Sequence, residues 1–377
     1  MLEVLHEIWP EAPVYTSAYL PEAMPAAYRA WDIRTSFMQR LPGLRRHFQK
    51  YLPLFPLAFE QFDFSGYDLV LDNSSAFSYG VITGPETLHV SYCLSPARFL
   101  WNYHDYVRRE ELGTGAQVAL APFLTGLRLW DRAAADRVDE FVAISSLIQA
   151  RIRKFYRRDS VLIAPPVDCQ RFRVRAPGAR VPGALWAGRA SAAPASGRGE
   201  GDYYLVVSRL IPYKRIDVAI EACKRVGARL KVVGRGRDRE RLESIAGGSP
   251  LIEFLGFVPD ERMPELWAGC RAFILPGEED FGIAPLEANA AGRPVVAYAA
   301  GGPLDTVVEG RTGRFFRQPT ADSLAEVLAG FDPDAFEPAA LRAHAESYDV
   351  PVFKRRLLRF IEEKLGSSYA RSAVGVG

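Results

Sequence analysis

The stretch YYLVVSRLIPYKRIDVAI, residues 203–220, decides how this chain is read. Tyr203 to Val207 are aromatic or aliphatic without a break, a run too short for a core helix and suited to a strand buried on both faces of a parallel sheet. A short loop follows with Arg209, Pro212, Lys214 and Arg215, and periodic apolar positions resume at Ile216, predicting a helix over Ile216 to Val226. Strand, cation-bearing loop and helix together make one α/β unit.

Downstream the rhythm repeats at roughly 20 to 25 residues, the spacing of parallel α/β units. The further strand-like runs are LKVVG (230–234), LIEFLG (251–256), RAFILP (271–276) and RPVVAYA (293–299). Helical patterns lie between them at Arg237 to Ala246, Met263 to Cys270 and Pro285 to Ala291, with Pro285 suited to a first helical position and Gly292 to a stop. Residues 202–350 therefore read as a doubly wound domain. Upstream, APVYTSAY, YDLVLDNS, HVSYCLS, EFVAISS and SVLIAPP mark a second Rossmann-type domain over 1–174. Such a domain normally opens with a strand and a glycine-bearing turn. Here the first predicted element is a helix, Leu2 to Ile8, so the first strand is expected to be missing, as from a truncated or misassigned start.

Between the halves, residues 175–201 are rich in Ala, Gly, Pro, Ser and Arg without periodicity, which predicts a flexible linker insertion. An Asp/Pro/Ala-rich loop (331–340) leads to a terminal helix within 351–366, long enough to cross back to the first domain, and 367–377 is expected to be disordered.

Composition narrows the function classes. The 377 residues carry a formal net charge of +2, too little for the chain-wide cationic field of a nucleic-acid binder. Hydrophobic residues at 48% and charged residues at 24% exclude collagenous, coiled-coil and wholly disordered chains. Cys93, Cys169, Cys223 and Cys270 show no metal or disulfide spacing and read as reduced thiols of a cytoplasmic protein. No apolar run is long enough to span a bilayer, which predicts a soluble or at most peripheral protein.

Three loops carry candidate chemistry. Arg209 and Lys214 precede a helix N-terminus, where unpaired N–H groups and the macrodipole favour an anion such as a diphosphate; a solvated basic loop fits the same residues, and Arg215 reads as a surface charge. In PGEEDFGIAPLEANAAGRP (276–294), Gly282 permits close backbone approach, and Glu279 and Glu287 flank the turn eight residues apart. Ionised carboxylates accept several hydroxyl hydrogen bonds, so the pair suits two ends of a sugar-bearing ligand; a loop charge plus a first-turn helical acid is the alternative. Gly301 and Gly302 follow another strand, at the sheet end where doubly wound folds bind ligands, or form an ordinary turn. From Ile33 to Phe59 the chain has Arg34, Arg40, Arg45, Arg46 and Lys50, no acid, and many apolar residues. That pattern suits docking on anionic lipid or packing of an amphipathic segment on its own domain.

SRLIPYKRID, GRG (234–236), FLGFVP, PGEEDFGIAPLEANAAGRPVVAY and the Gly-Gly pair together resemble the nucleotide-binding half of retaining family-four glycosyltransferases of the GT-B fold. The wording PYKRID and EDFGI is most similar to bacterial GDP-mannose-dependent mannosyltransferases of O-antigen and exopolysaccharide assembly. YLPLFPLAFE, YDLVLDNSSAFSYGV, YCLSPARFLW and VLIAPPVD extend the likeness to the first half.

The resemblance implies two Rossmann-like domains facing a cleft, a terminal helix crossing back, and transfer of a hexose from a nucleotide sugar to a saccharide or lipid-linked saccharide. It implies that Arg209 and Lys214 hold the diphosphate, that Glu287 holds the ribose, and that Glu279 with Phe281, Gly282, Ile283 and Ala284 holds the sugar. Gly234 would help bind the donor, and the base would be read near Phe257 and Val258. No cofactor and no metal are implied, and Asp332 and Asp334 read as helix-start residues. On the acceptor side, Arg98, His104 and Asp105 are candidates, with a surface helix face as the other reading. Contact with the inner face of the cytoplasmic membrane through 33–59 would serve a lipid-linked acceptor. Leu94 stands where the family commonly has histidine, which keeps a catalytically inactive nucleotide-sugar-binding protein, or a different GT-B enzyme, as the alternative.

Overall fold

The computed structural model describes residues 1–44, 48–102, 114–172 and 203–374. The chain forms two units, Met1–Pro166 with Pro351–Gly377, and Val167–Val350. The predicted linker 175–201 lies outside the described residues. The expected division at 174 moves to 166, because the residues after it bond within the second unit. The Val167 N–H donates to the Tyr348 carbonyl (3.0 Å), the Cys169 N–H to the Asp349 carboxylate (3.2 Å), and Phe172 is buried.

In the first unit a helix, Leu2–Ile8, precedes β1 (Val14–Thr16), which pairs in parallel with β2 (Ile33–Thr35) as a separate two-stranded sheet. The main sheet is parallel, in the order β3 (Leu69–Ser74), β4 (Leu88–Cys93), β5 (Glu140–Ala143), β6 (Val161–Leu162). All six residues of β4 are buried, including His89, whose ring nitrogen lies 3.1 Å from Asp72 of β3. A buried network fixes the helix Arg98–Trp101. The Trp101 indole donates to Asp131 (2.7 Å), which also accepts from the Tyr79 hydroxyl, itself 3.0 Å from that of Tyr156. Burial raises the Asp131 carboxyl above its ordinary range, and the hydrogen bonds from Tyr79 and Trp101 oppose this.

The segment 33–59 contains a strand, β2, that its composition does not announce, followed by 3-10 turns and the helix Phe55–Glu60. Met38, Phe55 and Ala58 are buried, and Leu41, Leu44, Tyr51 and Leu54 pack on the same core. Most of its apolar side thus covers its own unit, while Phe37, Phe48 and Leu57 are exposed. Arg34 pairs with Asp32, just upstream of the acid-free stretch, at 2.8 Å.

The second unit has a six-stranded parallel sheet in the order β12-β11-β10-β7-β8-β9. These strands are β7 (Tyr203–Val207), β8 (Arg229–Val233), β9 (Ile252–Gly256), β10 (Cys270–Leu275), β11 (Val295–Tyr298) and β12 (Gly313–Phe316). The chain winds outward from β7 to β9 and restarts at β10 on the other side of β7. The gap between β7 and β10 is therefore the switch point of a doubly wound sheet, where such folds bind ligands. β10 is central, and five of its six residues are buried, as its apolar run CRAFIL requires. The helix Ile216–Arg225 buries Ile216, Val218, Ala219, Ile220, Ala222 and Cys223 against the sheet, each large aliphatic side chain contributing roughly 1.5–3 kcal/mol.

β12 follows in GRFF, too short and too polar in composition to stand out in the sequence. Asp332 accepts from the Asp334 N–H (3.0 Å) at the start of a 3-10 turn, as a helix-start residue does. The last helix runs Val350–Val374, so residues 367–374, expected to be disordered, are helical. Beyond Val350 it belongs to the first unit, where Phe353 meets Tyr92 edge-on and Lys354 pairs with Glu7 (2.8 Å). All four cysteines are buried free thiols, and no helix among the described residues is long and apolar enough to cross a membrane.

Candidate functional site

The second unit gathers most of the motif residues at the C-terminal ends of β7, β8 and β10. A cavity of about 500 Å³ opens there, bordered by Arg209, Gly234, Phe257, Val258 and Glu287 among others. These five were separate candidates in sequence and share one wall-to-wall space in the fold.

Gly234 is placed by backbone crowding. Its φ is +134°, and a Cβ would lie 1.8 Å from the Ser208 carbonyl oxygen. The loops after β7 and β8 touch there, with the Leu210 N–H donating to the Arg235 carbonyl (3.0 Å). Only glycine lets the two loops close at this point. Arg209, exposed, reaches toward the Tyr213 hydroxyl (3.4 Å).

Outside the lining of that cavity, Lys214 bonds the Glu279 carboxylate across the switch point. Their side chains are 13% and 22% exposed, so the pair is only partly hydrated. The ammonium also sits 5.1 Å from the Tyr213 ring centroid. Arg215 turns away to Asp217 (3.3 Å), in keeping with a surface role, and its backbone adopts a left-handed conformation (φ +52°) just before the helix. A non-glycine residue held there is a local strain of the kind found at functional loops.

The loop carrying Glu279 is locked by the Gly-Gly pair. The Gly302 N–H donates to the Glu279 carbonyl (2.8 Å), and a Cβ on Gly302 would lie 2.3 Å from the Phe281 Cα. Phe281 is buried, Gly282 is the N-cap with φ +87°, and the helix Ile283–Ala290 follows, with Ile283 exposed and Ala284 partly so. The predicted helix start at Pro285 is corrected to Ile283, because Gly282 breaks the chain direction and Pro285 is still within the first turn, where its missing N–H is not needed. The helix presents Glu287 to the cavity. Desolvation pushes this carboxyl up from 4.5 to about 7, opposed by Arg171 and reinforced by Asp260.

Sequence reasoning missed Arg171, Asp260, Arg235, Met263 and Trp267, all of which line the cavity. Arg171 pairs with Asp260 at 2.7 Å, and Arg235 lies 5.3 Å from the Phe257 ring centroid. Asp260 is two residues past Val258 and was within reach of a closer reading; Arg171 lies some 90 residues away in sequence and has no local signal. Of the acceptor-side candidates, Arg98 is exposed at the start of its helix in the first unit, while His104 and Asp105 lie outside the described residues. Leu94 follows β4 and donates its N–H to the Ser74 carbonyl (2.7 Å). No cluster of metal-binding side chains occurs among the described residues.

Residues 192–345 match the family described as glycosyl transferases group 1. An exopolysaccharide phosphotransferase of Streptomyces coelicolor is 34% identical over 157 residues, 39% of this chain and 16% of that protein. A GDP-mannose-dependent alpha-(1-6)-phosphatidylinositol monomannoside mannosyltransferase of Mycolicibacterium smegmatis is 30% identical over 161 residues, 38% of this chain and 42% of that protein. The aligned parts thus span less than half the length of either relative. The solved structure of Anabaena HepE in complex with UDP superposes with a TM-score of 0.67 over 96% of this chain and 95% of that one, at 16% identity. Over residues 192–345 the chain is thus similar to the glycosyl transferases group 1, and its fold is GT-B.

Proposed function

We propose that this protein is a metal-independent, retaining glycosyltransferase that moves a hexose, mannose from GDP-mannose, to a saccharide or lipid-linked saccharide in surface polysaccharide synthesis. The observation that carries the reading is the meeting of Arg209, Gly234 and Glu287 around one cavity, at the sheet end where Lys214 and Glu279 also pair across the switch point. Cations and close-packed backbone suit a diphosphate at one end, and a carboxylate suits ribose hydroxyls at the other. The mannosyltransferase named above supports the choice of sugar and base.

In this mechanism the bond between the anomeric carbon and the β-phosphate oxygen breaks, and its electron pair goes to the departing diphosphate. Arg209, Lys214 and the N-terminus of the helix Ile283–Ala290 stabilise that charge as it develops. Glu279 positions the sugar hydroxyls. The acceptor oxygen attacks the oxocarbenium-like centre from the face the diphosphate leaves, so the anomeric configuration is kept, and the acceptor proton passes to a phosphate oxygen. A lipid-linked acceptor would bring the first unit to a membrane surface, where exposed Phe37, Phe48 and Leu57 stand near Arg40 and Lys50 in sequence.

Leu94 favours a second reading, a nucleotide-sugar-binding protein without transfer, because its side chain cannot bond a sugar hydroxyl. Incubation of the purified chain with GDP-mannose and saccharide acceptors, with product configuration read by NMR, separates the two. Mannosylated product with the donor's anomeric configuration supports transfer; donor binding with neither transfer nor hydrolysis supports the inactive protein; an inverted product contradicts the mechanism.

A further inference from the structure

Three arginines line the cavity, Arg171, Arg209 and Arg235. Arg171 is paired with Asp260, and Arg209 is assigned to the diphosphate. Arg235 is exposed, and its guanidinium has neither an ion pair nor a hydrogen bond among the described residues. Its neighbours differ: Arg239 pairs with Glu243 and Arg241 with Asp238, each at 2.7 Å. What Arg235 meets instead is Phe257, 5.3 Å from guanidinium carbon to ring centroid. Phe257 also lines the cavity and is 62% exposed. The backbone beneath Arg235 is clamped on both sides. A Cβ on Gly234 would lie 1.8 Å from the Ser208 carbonyl oxygen, and one on Gly236 2.0 Å from that of Leu210. The five donors of the guanidinium are thus carried on a fixed loop and held against an open aromatic ring.

Position in the sheet indicates what those donors meet. Arg235 follows β8 and Phe257 follows β9, on the side of β7 away from the switch point with β10. β9 lies two strands, about 10 Å, from β7 and Arg209. A nucleotide with its diphosphate at Arg209 and its ribose at Glu287 therefore extends its base toward Arg235 and Phe257. An exposed ring suits the flat face of a heterocycle, and a guanidinium matches two neighbouring acceptors. Guanine offers such a pair in O6 and N7. Adenine sets an amino donor beside N7, and uracil has no N7 at all. We propose that Arg235 is a specificity-determining residue of the donor site, its guanidinium donating two hydrogen bonds to O6 and N7 of guanine while Phe257 supplies the apolar surface beside it. This rests on the reading that the cavity takes GDP.

The test is calorimetric titration of GDP and of 7-deaza-GDP, in which a C–H replaces N7, into the wild type, Arg235→Met and Arg235→Lys. The side chain is exposed and unpaired, so both variants keep the fold. In Arg235→Met, GDP binds roughly tenfold more weakly, and 7-deaza-GDP, which offers O6 alone, about threefold more weakly. Lysine keeps the charge without the paired donors, so Arg235→Lys recovers at most part of the loss. Unchanged GDP affinity in Arg235→Met overturns the assignment. So does an equal fall for both nucleotides, or full recovery in Arg235→Lys, since either places the side chain on phosphate rather than on the base. A wild type that does not bind GDP overturns the GDP reading itself, a result distinct from the others because it needs no variant.

Discussion

Replacing Glu287 by glutamine separates stability from function in a way the site geometry dictates. The carboxyl is pushed from 4.5 to about 7 because folding removes it from water beside Asp260, with only partial relief from Arg171. A folded-state value above the unfolded one means that the native protein holds the proton more tightly. Glu287 is therefore neutral and costs nothing below about pH 4.5. Between pH 4.5 and 7 the unfolded chain ionises first and the native state loses stability, and above about pH 7 the full penalty stands. At about 1.4 kcal/mol per decade, the rise from 4.5 to about 7 makes that penalty roughly 3.5 kcal/mol. Glu287→Gln removes it, so the variant matches the wild type near pH 4.5 and exceeds it at pH 8. For a unit of this size, that is an increase of roughly 7–14 °C in the melting temperature of the second unit. The same change removes an ionisable acceptor for ribose hydroxyls and should weaken GDP binding roughly tenfold, since hydrogen bonds to charged groups contribute about 1.5–3 kcal/mol. Differential scanning calorimetry from pH 4.5 to 8, with GDP titration at pH 8, reads both effects. A stability difference that does not grow with pH, or a stabilised variant with undiminished GDP affinity, would refute the reasoning.

Three further outcomes follow from the same geometry. Lys214→Ala should lower GDP affinity roughly 10- to 100-fold and flatten its salt dependence, because one charge-assisted contact to phosphate is lost; calorimetry at two salt concentrations checks this. Glu279→Gln should leave GDP affinity within about threefold while cutting hexose transfer by roughly 100-fold, since Glu279 is assigned to the sugar and its loss frees Lys214 for phosphate; steady-state kinetics beside GDP titration separates the two effects. Gly302→Ala forces a methyl group to 2.3 Å from the Phe281 Cα, so the loop carrying Glu279 must shift; a loss of about 1–3 kcal/mol and much reduced transfer are expected from denaturant unfolding and activity assays.

The second unit was legible because its strands are continuous apolar runs between amphipathic stretches, a consequence of burying parallel strands on both faces. β12 escaped because Gly313 and Arg314 dilute it and its neighbour β11 supplies the ladder that makes it a strand. The first unit was harder. β1 and β2 are three residues each and form their own small sheet, so neither the 33–59 composition nor its charge pattern foretold a strand. The site divides along similar lines. Arg209, Lys214, Glu279 and Glu287 lie beside strand ends and helix starts, which mark themselves in sequence. That Lys214 bonds Glu279 rather than standing free, that Arg171 faces Glu287 beside Asp260, and that Arg235 stands against the Phe257 ring are results of packing between distant segments. No local pattern encodes them.

Isothermal titration of GDP, UDP and ADP into the purified chain, without added divalent ion, tests most directly whether the cavity of the second unit is the donor-nucleotide site. The account predicts binding of GDP in preference to UDP and ADP, lost or weakened in Lys214→Ala and Glu287→Gln. No binding of any of the three, or GDP binding that neither substitution alters, would contradict it.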